Sequence, residues 1–188
     1  MKSVEPRLRA NRIYQEYAAS LGYKVLSLLQ GGSRVVYQVE KEGMISILKI
    51  AREPSHKRKT NQLERENKAL SLASGIPRVA AKISYHENYF KNKKLLALVR
   101  EYIEGPTLTE ASSKLDQKQY SLLEETVGAL HQRGISSLDL CSDNIIITPD
   151  KIPYVIDLGL ADLRPEVGRA WFQSNVEEDL FELESLFP

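Results

Sequence analysis

Gly134–Gly159 reads GISSLDLCSDNIIITPDKIPYVIDLG, and the reading of the whole chain turns on this stretch. It sets Asp139 five residues before Asn144. An apolar run, Ile145–Thr148, comes next, then the turn Pro149-Asp150-Lys151, a second apolar run at Tyr154–Ile156, and Asp157-Leu158-Gly159. β-Branched runs about a proline-led turn predict a hairpin. Phosphoryl transfer needs a carboxylate to accept or orient the nucleophile's proton, here Asp139. It also needs an amide and a carboxylate to hold Mg²⁺ on phosphates, here Asn144 and Asp157. Single Asp and Asn residues are common; the spacing and the hairpin between them carry the reading.

At 188 residues the chain suits one domain, or two small lobes sharing a cleft. Its 42% hydrophobic and 27% charged residues are ordinary for a soluble globular protein. A formal net charge of +1 supplies no global field that would draw nucleic acid or a membrane. No apolar run approaches the ~20 residues that cross a bilayer. The opening MKSVEPRLRANRIYQEY has no signal-peptide core. The single cysteine, Cys141, fits a reducing compartment. The expectation is a cytoplasmic protein with no membrane partner.

Apolar spacing predicts an amphipathic helix over Arg7–Ser20, ended by Gly22. Strands are expected at Tyr23–Leu29 and Val35–Glu40, separated by Gln30-Gly31-Gly32-Ser33-Arg34, and at Met44–Ile50. Arg52–Thr60 reads as a polar, basic loop and Asn61–Ser74 as a helix, with Gly75 and Pro77 supplying the stop. Val79–Tyr85 and Leu95–Ile103 read as a strand pair. Beyond Glu104-Gly105-Pro106 the pattern turns helical, with Thr107–Ser112, about Gln117–Arg133, and an acidic amphipathic helix at Val176–Phe187. The prediction is α+β in one minimal domain. A strand-rich N-terminal lobe spans 1–103, a hinge lies near Glu101–Gly105, and a small helical lobe spans 104–188.

Further parts of a phosphate site precede Asp139. Lys49 sits in an apolar strand, where a cation could reach α- and β-phosphates. Glu66, with Glu64 as its neighbouring alternative, lies on the next helix and could pair with Lys49. The Gly31-Gly32-Ser33 turn could bring backbone N–H groups over phosphates. The backbone of Arg100–Gly105 could hydrogen-bond a base. In this order ILKIA, LERENKAL, LVREYIEGPTL, ALHQRGISSLDLCSDNIII and VIDLGLA resemble the protein-kinase-like fold over Leu26–Leu186. The resemblance implies a two-lobed fold with an antiparallel-sheet N-lobe and a reduced helical C-lobe. It implies ATP as substrate, with Mg²⁺, or Mn²⁺ in its place, at two metal positions. Asp139 is then the catalytic base, Lys49 and Glu66 the ion pair, and Asn144 and Asp157 the metal ligands. Glu101 and Ile103 would receive adenine through their backbones.

The chain departs from ordinary protein kinases. About eighty residues follow the hinge, too few for a large peptide-docking lobe, and no long activation loop fits after Asp157. Ser137-Leu138 stands in place of His-Arg, and Cys141 in place of a lysine. These reductions resemble the atypical minimal kinases: the RIO family and the small kinase subunit of the KEOPS tRNA-modification complex. The implied function is an atypical Ser/Thr kinase, autophosphorylation included. The alternatives are an ATPase or kinase subunit of a multiprotein complex, and a small-molecule phosphotransferase. The implied partners are ATP and a protein substrate or partner subunit. Lys57-Arg58-Lys59 reads as a solvated charge run, with an RNA or partner contact as the other reading. His131 is expected to pack and not to catalyse. Asp179 either anchors the Asp139 loop or lies on the surface. Arg100 is a long cation where the pocket behind a base begins, and it either swings to solvent or pairs with an acid.

Overall fold

The computed structural model describes residues 5–32, 34–52 and 62–188. Ser33 and the Lys57-Arg58-Lys59 run fall outside the described residues. Helix α1 (Glu5–Ser20) leads into β1 (Lys24–Gln30), β2 (Arg34–Lys41) and β3 (Met44–Arg52). Then come α2 (Gln62–Leu72), β4 (Lys82–Phe90) and β5 (Lys93–Glu101). These five strands form one antiparallel sheet in the order β1-β2-β3-β5-β4. The rest is α3 (Leu108–Ala111), α4 (Gln117–Gln132), β6 (Ile135–Ser136), β7 (Ile145–Ile147), β8 (Pro153–Val155), β9 (Asp162–Leu163), α5 (Arg164–Val167) and α6 (Arg169–Ser185). The chain is α+β, as its residue pattern predicts. No described helix is long and apolar enough to cross a membrane. Two units divide the chain: 1–63 with 82–102, and 64–81 with 103–188.

The first unit is built on strand alternation. Tyr37 of β2 lies opposite Leu48 of β3, which lies opposite Val99 of β5. With Val35, Ile50 and Ala97, these side chains share a core with Tyr14, Tyr17 and Ala18 of α1. Successive strand side chains point to opposite faces. The alternate set, Val36, Lys49 and Leu98 in register across β2, β3 and β5, therefore lies on the other face, with Ile47 and its partner Arg100.

The second unit differs from expectation at its entry. Instead of opening a strand with β4, Val79 bridges Val155 of β8, and Ala80 N–H donates to the Val155 carbonyl at 3.0 Å. Arg78 takes φ +64, which breaks the extended run. Its guanidinium bonds Thr126 and Glu125 of α4, at 2.8 and 2.9 Å. Capping boxes start α3 (Thr107 with Glu110) and α4 (Asp116 with Gln119). Gly105 has φ +142, and a Cβ there would stand 2.1 Å from the Ile147 carbonyl oxygen. Only glycine lets the chain pass β7 so closely. The final helix begins at Arg169, seven residues before the predicted Val176.

Candidate active site

Asp139 lies in the loop between β6 and β7. It and Ser137 take left-handed backbone angles, φ +52 and +55. Each such residue costs a non-glycine chain roughly 1–2 kcal/mol. Hydrogen bonds from α6 offset that cost. Leu138 N–H donates to Asp179 Oδ1 at 2.7 Å, and Leu140 N–H to Glu182 Oε2 at 2.8 Å. Leu138 and Leu140 are buried, so Asp139 between them is left partly exposed. Asp179 is 1% exposed, and its Oδ2 lies 2.9 Å from His131 Nε2 of α4. Asp179 is thus the loop's anchor, and His131 holds that anchor from the other side.

The loop then closes on itself. Cys141 N–H donates to the Asp139 carbonyl at 2.8 Å, and Asn144 N–H to the Cys141 carbonyl at 2.9 Å. The Asn144 side chain donates from Nδ2 to the Asp139 carbonyl and to Asp139 Oδ2, both at 2.9 Å. Two acceptors on one side fix which way the amide faces. Oδ1 is therefore left to offer a cation. In the β7–β8 hairpin, Ile145 lies opposite Val155, and Ile156 N–H reaches the Asn144 carbonyl at 3.0 Å. This extra rung brings Asn144 and Asp157 to one end of the hairpin. Asp157 Oδ1 accepts the Gly159 N–H at 2.7 Å.

An amide oxygen beside a carboxylate is a hard-oxygen donor pair. It suits Mg²⁺, which keeps one or two protein ligands and completes its shell with phosphate and water. Among the described residues no group of three or more His, Cys, Asp or Glu side chains is arranged to hold a metal.

The other predicted residues are divided between the units. Lys49, Gly31, Gly32 and Glu101 belong to the first; Glu66, Ile103, Asp139, Asn144 and Asp157 belong to the second. Lys49 is 2% exposed on β3, and Glu66 is fully buried on α2. Gly31 and Gly32 are exposed before β2, and Gly32 takes φ +141. Glu101 ends β5, and Ile103 is buried just beyond it. Arg100 is 5% exposed, so it does not swing to solvent, and its Nη1 donates to the Glu101 carbonyl at 3.1 Å.

A cavity of about 260 Å³ opens beside Asp139, lined by Ser137, Leu160, Glu178, Asp179 and Glu182 as well. Burial pushes the Glu182 carboxyl up, and Asp179 and Asp139 add to this against the Leu140 N–H bond. Partial desolvation also raises the Cys141 thiol, with Asp139 contributing in the same direction. That is the opposite of what a nucleophilic thiol requires. Sequence reading missed two supports. One is Glu182. The other is Asp162, whose Oδ2 accepts from Asn175 at 3.1 Å and Trp171 at 3.3 Å, with Ser137 Oγ at 3.5 Å.

Comparison with known proteins bears on this geometry. The chain is 30% identical over 155 residues to the serine/threonine-protein kinase cds1 of Schizosaccharomyces pombe, covering 74% of this chain and 33% of that protein. The relationship is protein-kinase-like. Two shorter kinase-like similarities accompany it. One is 38% identity over 73 residues to the KEOPS complex subunit Bud32 of Pyrococcus abyssi, 37% of this chain and 33% of that one. The other is 37% identity over 76 residues to serine/threonine-protein kinase D of Synechocystis, 38% of this chain and 15% of that one. The matched stretches thus span about a third or less of these relatives. No family model matches the chain. These similarities support a kinase-like function.

Proposed function

We propose that the chain is an atypical Mg²⁺-dependent kinase that transfers the γ-phosphoryl group of ATP to a serine or threonine hydroxyl, its own included. Its two units are then the lobes of one minimal domain. The observation that carries this reading is the Asp139–Asn144 pair. Asn144 holds Asp139 Oδ2 and the Asp139 carbonyl at 2.9 Å, which leaves the other carboxylate oxygen for an incoming hydroxyl. In the reaction the hydroxyl oxygen bonds to the γ-phosphorus as the bond to the β-phosphate oxygen breaks. ADP leaves, and the hydroxyl proton passes to Asp139.

Mg²⁺, when bound, neutralises charge on the phosphates. Asn144 Oδ1 and Asp157 are the groups that would hold it, with Mn²⁺ as its substitute. Lys49 would contact the α- and β-phosphates, steadied by Glu66, while the Gly31-Gly32-Ser33 turn covers them. The Glu101 and Ile103 backbones would receive the base. Most of the rate gain would come from positioning by a loop already held in place.

The similarity to a KEOPS complex subunit favours a second reading, an ATP-hydrolysing subunit of a larger assembly.

The test is incubation of pure protein with γ-labelled ATP and Mg²⁺ or Mn²⁺, beside Asp139→Asn and Asp157→Ala. Label on the protein that disappears in both variants is expected. Free phosphate without protein label would favour the hydrolase reading. Nucleotide binding without turnover by either route would sink both.

A further inference from the structure

The chain's formal charge of +1 hides an uneven division. The second unit holds 18 Asp and Glu against 9 Lys and Arg, a formal charge of −9. Helix α6 alone carries Glu177, Glu178, Asp179, Glu182 and Glu184, with Arg169 as its single lysine or arginine.

The cavity beside Asp139 opens against this helix. Asp139, Glu178, Asp179 and Glu182 all line it, and no described lysine or arginine does. Burial raises the Glu182 carboxyl, and Asp179, Asp139 and Glu178 raise it further, against the Leu140 N–H bond. A cation seated in the cavity relieves that repulsion. Leu160, 43% exposed, supplies an apolar wall. A lysine or arginine stem packs on such a wall while its charged head meets the carboxylates.

The outward face of α6 continues the cavity. Trp171, Glu178 and Phe181 fall on one stripe of the helix, beside the buried stripe of Phe172, Asn175, Asp179 and Leu183. Phe181 is 73% exposed and Trp171 61%. The indole N–H of Trp171 is tied to Asp162 Oδ2 at 3.3 Å, so this exposed ring is held in place. Aromatic rings among carboxylates attract guanidinium and ammonium groups. Charge therefore names the occupant: a basic segment is drawn in, and an acidic one is repelled.

The proposed reaction brings the acceptor hydroxyl to Asp139. Neighbouring residues of the acceptor then pass along the cavity and α6, at about 3.3–3.6 Å per residue of extended chain. We propose that the cavity and the Trp171–Phe181 stripe dock the acceptor chain, selecting a serine or threonine with lysine or arginine within about three residues. This rests on the kinase reading and names its substrate class.

The probes are fluorescein-labelled peptides, each with one serine in an alanine background flanked by three Arg, three Gln or three Glu. Fluorescence anisotropy reads their binding to the full chain without turnover, and γ-labelled ATP with Mg²⁺ reads transfer to the same peptides. The Arg peptide should bind about tenfold or more tighter than the Gln peptide, the Glu peptide weakest, with label in the same order. Glu178→Lys should cut the Arg-over-Gln preference about fivefold or more. Glu124→Lys makes the same change of charge on an exposed position of α4 that does not line the cavity, and should cut it less than about twofold. Phe181→Ala should weaken the Arg peptide about two- to fivefold. Thermal melting checks that each variant is folded.

Equal binding of the Arg and Gln peptides overturns this inference. So does an equal loss in Glu178→Lys and Glu124→Lys, which would mean general attraction to an acidic surface, or a folded Phe181→Ala that binds as the wild type does. An Arg peptide that binds yet takes no phosphate from a chain that labels itself also overturns it. In each of these cases label on the chain leaves the kinase reading standing. Absence of label on both chain and peptides overturns both.

Discussion

The Asn144 amide makes Asp139 a defined acceptor. Its two bonds, both at 2.9 Å, reach the backbone and side chain of the same residue, so the amide and the carboxylate are set as a unit. Replacing the amide with a carboxylate would put like charges within hydrogen-bond range and remove the donor that sets Asp139 Oδ2. Turnover by Asn144→Asp is therefore expected to fall by about tenfold or more. Turnover equal to that of the wild type would show that the pair is not coupled. The contact of Asp139 with Asn144, and the hairpin that follows, were legible in the spacing: five residues to Asn144, then two apolar runs about a turn, then Asp157. Glu182 was not legible. No local pattern marks a carboxylate whose partner is an N–H group 42 residues away.

Helix α6 does at element scale what Asn144 does at residue scale. Its buried residues are Phe172, Asn175, Asp179 and Leu183, one helical face on which two of the four members are polar. That mixture explains why its first turns went unread, since a hydrophobic period is hidden when buried positions carry Asn and Asp. The short strands β6 and β9 escaped for another reason: two residues cannot display an alternation. Asp179 serves Leu138 and His131 at once. Asp179→Ala should cost about 2–4 kcal/mol, because two buried partners lose their acceptor. Asp179→Asn keeps one acceptor oxygen and should cost less. Urea unfolding at pH 7 measures both. Equal costs for the two variants would mean that burial alone, and not hydrogen bonding to the loop, gives Asp179 its weight.

At the scale of the whole molecule, the α+β class followed from strand alternation before Glu101 and helical spacing after it. The division into units did not. Residues 64–81 belong with 103–188, and part of the link is the pairing of Val79 and Ala80 with Val155, a contact no local window contains. One contribution to stability against alkali lies in the first unit. Burial pushes the Tyr37 phenol up to about 12, and burial also raises Tyr14 and Tyr17 in the same core. A tyrosine ionises near pH 10 in the unfolded chain. The folded state holds these protons more tightly, so their stabilisation is complete below about pH 10 and is lost as pH climbs through the folded value. Thermal melting is expected to fall steeply between about pH 10 and 12. Tyr37→Phe should flatten that fall while changing the neutral melting temperature much less, and an unaltered alkaline limb would contradict this.

The two N–H groups that shape the Asp139 loop wait for acceptors 41 and 42 residues further along the chain. Proteins are synthesised from the N-terminus, and segments fold as they emerge. The first unit's strands, Lys49 among them, are complete by residue 102. The loop that carries Asp139 acquires its hydrogen-bonded shape only after α6 has been made. A ribosome-bound chain that has not yet reached α6 holds every reactive residue proposed here, yet the loop remains unfastened.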